Sequence, residues 1–77
     1  MGEINSIKNR TYRKYLESIG CNFARQKGSH VIYKKKGCRR PIIFQHKGDI
    51  PILHIFTNLK TLGITKEEFL EDIKKIR

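Results

Sequence analysis

Acidic residues are scarce in this chain, and their scarcity excludes several classes of enzyme. Only seven of the 77 residues are Asp or Glu, and four of these lie between residues 65 and 77. No carboxylate cluster is available for the metal pair of a two-metal nuclease. The sequence also lacks an HExxH motif, a P-loop and a Ser/His/Asp set. We therefore predict neither a metal site nor a cofactor.

Cysteine and long apolar runs are equally scarce. Cys21 and Cys38 lack the CxxC spacing of a metal site, and we expect Cys21 to be a small core residue with no disulfide. No run approaches the ~18 apolar residues of a membrane-spanning helix. Residues 1–5 lack the charged-then-apolar pattern of a secretion signal. We expect a cytoplasmic protein that does not engage a membrane.

Basic residues are abundant instead. Lys and Arg number 17, which gives a formal net charge of +10 and a pI near 10.0. From Lys8 to Lys47 there are twelve bases and one acid, Glu17, a net +11, whereas residues 65–77 are neutral. Such clustering indicates a nucleic-acid-binding surface. The alternatives are a generic basic surface and a site for an acidic protein.

Apolar spacing predicts a single domain, residues 1–77, of the α+β class. Helices are expected at about residues 9–19, 50–62 and 65–76, and antiparallel strands at 21–26, 30–35 and 39–45. Turns are expected around Gly28 and Gly37. Strict alternation along the first strand places Arg25 on the same side as Cys21 and Phe23.

The helical stripes identify a candidate core. Tyr12 and Tyr15 fall on one apolar stripe of the first helix, so core packing is a better interpretation than stacking on bases. Thr65 is the predicted N-cap of the last helix, with Glu68 completing a capping box. His54 lies opposite the apolar stripe of the second helix, and we expect it to be exposed and without a particular role.

One segment, Arg25-Gln26-Lys27-Gly28-Ser29-His30, combines phosphate-binding groups with an imidazole. RNA can be cut without a metal when a base takes the 2′-OH proton and that oxygen attacks the adjacent phosphate. Histidine suits the proton step because its pKa is near neutral, and cations and backbone N–H groups stabilise the developing charge. His30 is therefore the candidate general acid/base. The alternative is a structural histidine beside an ordinary hairpin glycine.

The remaining site candidates are expected to bind RNA or phosphate, and His46 could also be a partner acid. They are Arg25, Lys27, Gly28, Ser29, Lys34, Lys35, Arg39, Arg40 and His46.

The same segment, followed by Val31-Ile32-Tyr33, resembles the hallmark of the HicA (YcfA-like) family, small mRNA interferases of toxin–antitoxin modules. Gly20, Gly37 with Arg39-Arg40, His46 and residues 63–70 extend the resemblance over about residues 12–70. It implies a double-stranded-RNA-binding-domain-like α-β-β-β-α fold with an additional C-terminal helix. It also implies ribosome-independent cleavage of mRNA, His30 as the single catalytic histidine, and inhibition by a HicB-like antitoxin that covers His30.

The sequence departs from the family pattern at Cys21, in the third strand (residues 42–45) and at the start of the second helix, which lacks an arginine. RNA contacts from that helix are therefore not carried over. Two other hypotheses stay open, namely a non-catalytic RNA-binding module of the same fold and a basic protein that recognises an acidic partner. A homodimer and a hetero-oligomer with the antitoxin are both compatible with the sequence.

Overall fold

A computed structural model describes residues 5–76. Residues 1–4 lie outside the described residues. They make up most of residues 1–5, which lack the sequence pattern of a secretion signal. The elements follow in the order β1 (Ser6–Ile7), α1 (Asn9–Ser18), β2 (Cys21–Lys27), β3 (His30–Lys35), β4 (Ile42–Gln45), β5 (Ile50–Pro51), α2 (Ile52–Leu62) and α3 (Lys66–Ile76). Within the described residues, no helix is long and apolar enough to span a membrane.

The predicted α+β architecture is confirmed. Strands β2, β3 and β4 form an antiparallel sheet in that order, with one helix before it and two after it. Each helix stays close to its predicted range because apolar stripes and terminal residues define it locally. Thr65 caps α3 as expected, since its Oγ accepts a hydrogen bond from the Glu68 N–H at 3.1 Å. Gly63 ends α2 in the left-handed conformation.

A second, two-stranded sheet was not predicted. Ile50 pairs with Ile7 and Pro51 with Ser6, and the Ile52 N–H donates to the Asn5 carbonyl at 3.0 Å. This pairing holds residues 50–51 in an extended conformation, so α2 begins at Ile52 rather than at about residue 50. The predicted start was wrong because the pairing partner lies more than forty residues away along the chain.

The third strand of the main sheet is also shorter than predicted. It begins at Ile42, which leaves Arg39, Arg40 and Pro41 in the preceding loop. Proline has no N–H to donate to a strand ladder, so it tends to stand at a strand entry. The loop is closed at its other end by the Cys38 N–H, which donates to the Lys35 carbonyl at 3.0 Å.

One hydrophobic core joins the helices to one face of the main sheet. Tyr12 and Tyr15 are fully buried, as predicted, and Cys21 is 1% exposed. Aromatic rings form the centre of this core: Tyr12 packs edge-on against Phe44 with centroids 5.0 Å apart, and Tyr15 packs edge-on against Phe69 at 4.9 Å. The other core residues are Ile7, Leu16, Val31, Tyr33, Ile42, Ile50, Ile55, Leu59 and Ile73.

A β-bulge in β2 changes which side chains share a face. Phe23 pairs with Tyr33, but the next paired residue is Arg25, opposite Ile32, so Ala24 is the extra residue. The alternation therefore reverses, and Arg25 joins the face opposite to that of Cys21 and Phe23. The prediction that these three residues share one side was wrong, because strict alternation assumes an uninterrupted ladder.

The turn after β2 is a two-residue hairpin loop. Lys27 pairs with His30, which leaves Gly28 and Ser29 as the two loop residues. Gly28 has a φ of +60°, the sign required at the first central position of a type II′ turn, where glycine is preferred. This loop fixes the register and so determines which face His30 occupies.

Candidate nucleic-acid interface

The two faces of the main sheet differ in chemistry. Paired residues on antiparallel strands lie on the same face, so the register defines both faces. The core face comprises Cys21, Phe23, Gln26, Val31, Tyr33, Lys35, Ile42 and Phe44. The open face comprises Asn22, Arg25, Lys27, His30, Ile32, Lys34, Ile43 and Gln45.

The open face brings His30 together with three of the predicted basic residues. Lys27 is paired directly with His30, and Arg25 with Ile32, one position further along the same face. Lys34 occupies the far end of β3 on that face. All four polar side chains are exposed. Within residues 5–76 no buried polar or charged side chain is present, so the charge of the domain lies at its surface.

A shallow groove lies on the open face beside the imidazole of His30. It is lined by Lys27, His30, Ile32 and Ile43. Ile43 is 46% exposed, whereas Ile32 is 8% exposed yet does not belong to the hydrophobic core. The groove thus offers an apolar floor with a cation and an imidazole at its side. Such a surface suits a flexible nucleotide, whose base is apolar on its face and whose phosphate is anionic.

A second groove connects His30 with helix α2. Its lining comprises His30, Ile43, Phe44, Gln45, His54, Thr57 and Asn58. Helix α2 is held against β4 by Asn58, whose Nδ2 lies 3.3 Å from both the Tyr12 Oη and the Ile43 carbonyl. His54 is exposed, as predicted, and it lines this groove. The sequence predicted which face of α2 carries His54, but it did not predict that β4 lies beside that face.

His46 is placed on the other side of the sheet from His30. The backbone N–H of His46 donates to the Ser29 carbonyl at 2.7 Å, which extends the β3–β4 ladder by one step. Its ring is approached by Arg13 of α1, with the guanidinium 3.5 Å from Nδ1, and Arg13 also donates to the His46 carbonyl at 3.4 Å. A separate groove is lined by Gly28, Ser29, Gln45, His46 and Lys47. His46 therefore borders the hairpin loop, in a groove other than the two that His30 lines.

Side chains of helix α1 hold β4, the strand that contains the residue paired with His30. Asn9 donates from Nδ2 to the Gln45 carbonyl at 2.7 Å, and its Oδ1 accepts a hydrogen bond from Arg13 Nε at 2.6 Å. Arg13 also lies over the Phe44 ring, with its Cζ 5.8 Å from the centroid. Gln45 is the residue paired with His30, so these contacts support the position of the imidazole through the backbone of β4.

The remaining predicted contacts lie away from His30. Lys35 is paired with Cys21 on the core face and is half-buried. Arg39 and Arg40 line a different groove together with Lys60 and Thr61 of α2. Lys60 was not among the predicted contacts, because only the fold brings α2 beside the loop before β4. The structure therefore separates the basic residues into the open face and this Arg39–Lys60 groove.

Burial keeps the core phenols and one thiol in their neutral forms. It raises the pKa of Tyr15 to about 12, with the nearby carboxylates of Asp72 and Glu68 adding to the effect. It likewise raises the pKa of Tyr12, Tyr33 and the Cys21 thiol. A buried thiol with a raised pKa is a poor nucleophile. Within residues 5–76 no group of His, Cys, Asp or Glu side chains is arranged to hold a metal ion.

These features define a class of protein, a small basic α+β domain with an exposed histidine among cations on an open sheet face. The sequence model for the HicA toxin of bacterial toxin–antitoxin systems matches residues 10–64, and the chain belongs to this family. A toxin role, with an antitoxin as partner, follows at the level of the family. No curated protein and no solved structure matches the chain.

Proposed function

We propose that the protein is the toxin of a type II toxin–antitoxin module and cleaves mRNA as a metal-independent endoribonuclease. His30 is the general acid/base in this proposal. The observation that carries it is the exposed imidazole of His30 on the open face, paired with Lys27 and close to Arg25. An mRNA-cleaving toxin of this kind acts in the cytoplasm.

The proposed reaction begins with proton removal from a 2′-OH by His30. The O2′ then attacks the adjacent phosphorus, the bond from phosphorus to the 5′-oxygen breaks, and the leaving 5′-oxygen takes up a proton. The products are a 2′,3′-cyclic phosphate and a 5′-hydroxyl. Lys27 and Arg25 stabilise the extra negative charge on the phosphoryl oxygens, because cations placed where charge develops lower the barrier. Lys34 and the Gly28–Ser29 loop bind flanking phosphates.

Two other groups of basic residues extend the proposed RNA path. Arg39 and Arg40, with Lys60, bind phosphates further along the strand. His46 and Lys47 border the hairpin loop and contact phosphate there, while Lys35 adds to the general positive field. RNA is favoured over DNA because only RNA provides the 2′-OH nucleophile.

The antitoxin is proposed to be a HicB-like protein that covers His30. The net charge of +11 between residues 8 and 47 favours an acidic inhibitor surface, since opposite charges accelerate and orient association. Such a partner would occupy the open face and exclude RNA by steric overlap. The resulting assembly is a hetero-oligomer.

One observation favours a second candidate function, a non-catalytic RNA-binding module. Among the hydrogen bonds within residues 5–76, none involves the His30 ring. A catalytic histidine is commonly oriented by a partner on its second nitrogen. A binding module would keep the charge and the grooves without needing an oriented imidazole.

The test compares wild type with His30→Gln on a single-stranded RNA, with EDTA present. We expect wild type to cleave the RNA and His30→Gln to lose about 10²–10⁴-fold in rate while its RNA affinity stays within threefold. His46→Gln is the comparison variant: it removes a proposed phosphate contact rather than the catalytic group, so it should weaken RNA binding without abolishing cleavage. Cleavage that persists in His30→Gln would overturn the role of His30. Binding without cleavage by wild type would establish the binding module instead.

A further inference from the structure

The groove between β4 and α2 contains two imidazoles. Its lining includes His30 from β3 and His54 from α2, which are 24 positions apart in sequence. Among the described residues that line it, these two are the only ones with titratable side chains. Lys27 lines the adjoining groove together with His30.

The other polar side chains of this groove are already engaged within the protein. Gln45 Nε2 donates to the Lys47 and Asp49 carbonyls at 3.0 and 2.8 Å. Thr57 Oγ1 donates to the Leu53 carbonyl at 3.1 Å. Asn58 Nδ2 contacts Tyr12 and β4. The two imidazoles are therefore the side chains in this groove that can donate a proton to a bound molecule or accept one from it.

His54 is held at a defined position relative to the sheet. It lies four residues before Asn58 on α2, so the two side chains share one helix face. Asn58 is the residue that attaches this face to the Ile43 carbonyl of β4. Ile43 also lines both grooves with His30. The hydrogen bond from Asn58 to β4 therefore places His54 beside β4, the strand that pairs with the strand of His30.

We propose that His54 is the general acid of the cleavage reaction, and this inference rests on the proposed function. Breaking the bond between phosphorus and the 5′-oxygen requires a proton on the leaving oxygen, while the attacking 2′-OH must lose one. One imidazole cannot be both proton donor and acceptor at the same instant. His30 accepts the 2′-OH proton, protonated His54 donates to the 5′-oxygen, and exchange with water restores both rings.

The proposal gives His54 a role that a merely structural residue would not have. A donor and an acceptor with opposite required protonation states produce a bell-shaped dependence of the cleavage rate on pH. Removal of the donor should abolish the alkaline limb of that bell and leave the acidic limb in place. It should also make the rate sensitive to the basicity of the leaving group.

The experiment measures cleavage of two RNA oligonucleotides, one normal and one with a bridging 5′-sulfur at the scissile phosphate. A thiolate leaves without protonation, so the sulfur substrate does not require a general acid. On the normal substrate we expect His54→Gln to lower the rate about 10²–10³-fold. On the sulfur substrate it should cut within fivefold of wild type, whereas His30→Gln should remain defective on both.

The controls distinguish failure of this proposal from failure of the proposed function. Lys74→Gln, a change at an exposed position of α3 outside the proposed RNA path, should cut both substrates like wild type, and His54→Asn should repeat the pattern of His54→Gln. If wild type cuts RNA and His30→Gln does not, normal cleavage by His54→Gln overturns the role of His54 alone. An equal defect on both substrates would also overturn it. A wild type that cuts neither substrate would instead overturn the proposed function and this role with it.

Discussion

The two faces of the main sheet are formed by the same three strands, yet they have opposite chemistry. On the core face, Tyr33 and Phe44 are 2% and 3% exposed and pack under the helices. On the open face, His30 and Lys27 are exposed and lie beside Ile43. Because successive side chains of a strand point to opposite faces, each strand contributes to both surfaces at once.

The comparison shows how a short chain separates folding from chemistry. Stability depends on the core face, since burial of apolar area is the main favourable contribution to folding. The open face is free to carry cations that would be costly in a core. Substitutions on the two faces should therefore affect different measurements, with unfolding responding to the core face and RNA binding to the open face.

The largest expected effect is on the core face. Phe44→Ala removes a ring that packs against Tyr12 at 5.0 Å and Tyr33 at 5.6 Å, and should lower the free energy of unfolding by about 3–5 kcal/mol. Ile43→Ala, one residue earlier and 46% exposed, should cost about 1 kcal/mol or less. Urea denaturation of both variants measures the difference. Equal losses of stability would show that the faces are not energetically distinct.

The second prediction concerns the cations of the open face. Replacement of Arg25, Lys27 and Lys34 by Ala should reduce the slope of log affinity for single-stranded RNA against log salt by about 2, because each phosphate that is no longer neutralised accounts for roughly 0.7. The control replaces Arg10, Lys14 and Lys74, which are exposed on α1 and α3. It removes the same charge and should change the slope by less than half as much. Equal changes in slope would indicate that RNA responds to the overall positive charge of the domain and not to the open face.

The third prediction uses two buried tyrosines of α1. Tyr12 Oη accepts a hydrogen bond from Asn58, whereas Tyr15 Oη is buried with no partner in the described chain. Tyr12→Phe should lower the free energy of unfolding by about 1 kcal/mol, because a hydrogen bond is removed. Tyr15→Phe should leave it unchanged or raise it by about 1 kcal/mol, because an unsatisfied buried hydroxyl is removed. Thermal or urea unfolding at neutral pH compares the two.

Alkaline pH provides a fourth prediction from the same core. The pKa of Tyr15 is raised to about 12 from 10.0, mainly by burial. A pKa raised on folding means that the unfolded chain loses its proton first, so stability is intact below pH 10 and declines as pH rises towards 12. Tyr15→Phe should reduce this decline, measured by urea unfolding between about pH 9 and 11. An unchanged pH dependence would show that other groups, such as Tyr12, cause it.

Local patterns were sufficient to predict most of the fold. The stripe of Tyr12 and Tyr15, the capping residues around Thr65 and the hairpin at Gly28 each depend on residues a few positions apart. The β1–β5 pairing was missed because two-residue strands carry no periodic signal. Pairings of this kind depend on contacts that are distant in sequence.

The candidate site was predicted only in part. His30, Lys27 and the hairpin loop are neighbours in sequence, so their proximity followed from the chain itself. His46 is near them in the sheet but faces α1, where Arg13 contacts it. His54 joins His30 only through the tertiary placement of α2 by Asn58, which no local pattern encodes.

The position of Arg25 was mispredicted because of one extra residue. Ala24 carries no marker of a bulge, since the usual signal in a strand is a glycine. If the bulge is ignored, strict alternation along β2 places Arg25 on the same face as Cys21 and Phe23. Arg25 therefore reaches the open face because Ala24 is unpaired and does not count in the alternation along β2.

Deletion of Ala24 tests whether Ala24 is the unpaired residue and should have the smallest effect. The deletion removes the unmatched residue, so Phe23 and Arg25 become neighbours in a regular ladder and keep Tyr33 and Ile32 as partners. RNA affinity should stay within about twofold of wild type, because Arg25 remains on the open face. If Arg25 instead shared the face of Phe23, the deletion would move one of them across the sheet and change affinity or stability substantially.

The matched control is deletion of Gln26, which is paired with Val31. Loss of a paired residue forces Arg25 opposite Val31 or shifts the strand at the hairpin, and either outcome places a cation against the core face. We expect a clear drop in RNA affinity, since a cation leaves the open face, and a smaller loss of unfolding free energy, because the position opposite Val31 is exposed and the cation stays hydrated. Titration with fluorescent RNA and urea unfolding measure both deletions under the same conditions. A tolerated Gln26 deletion would show that β2 slips freely, and Ala24 would then not determine the face of Arg25.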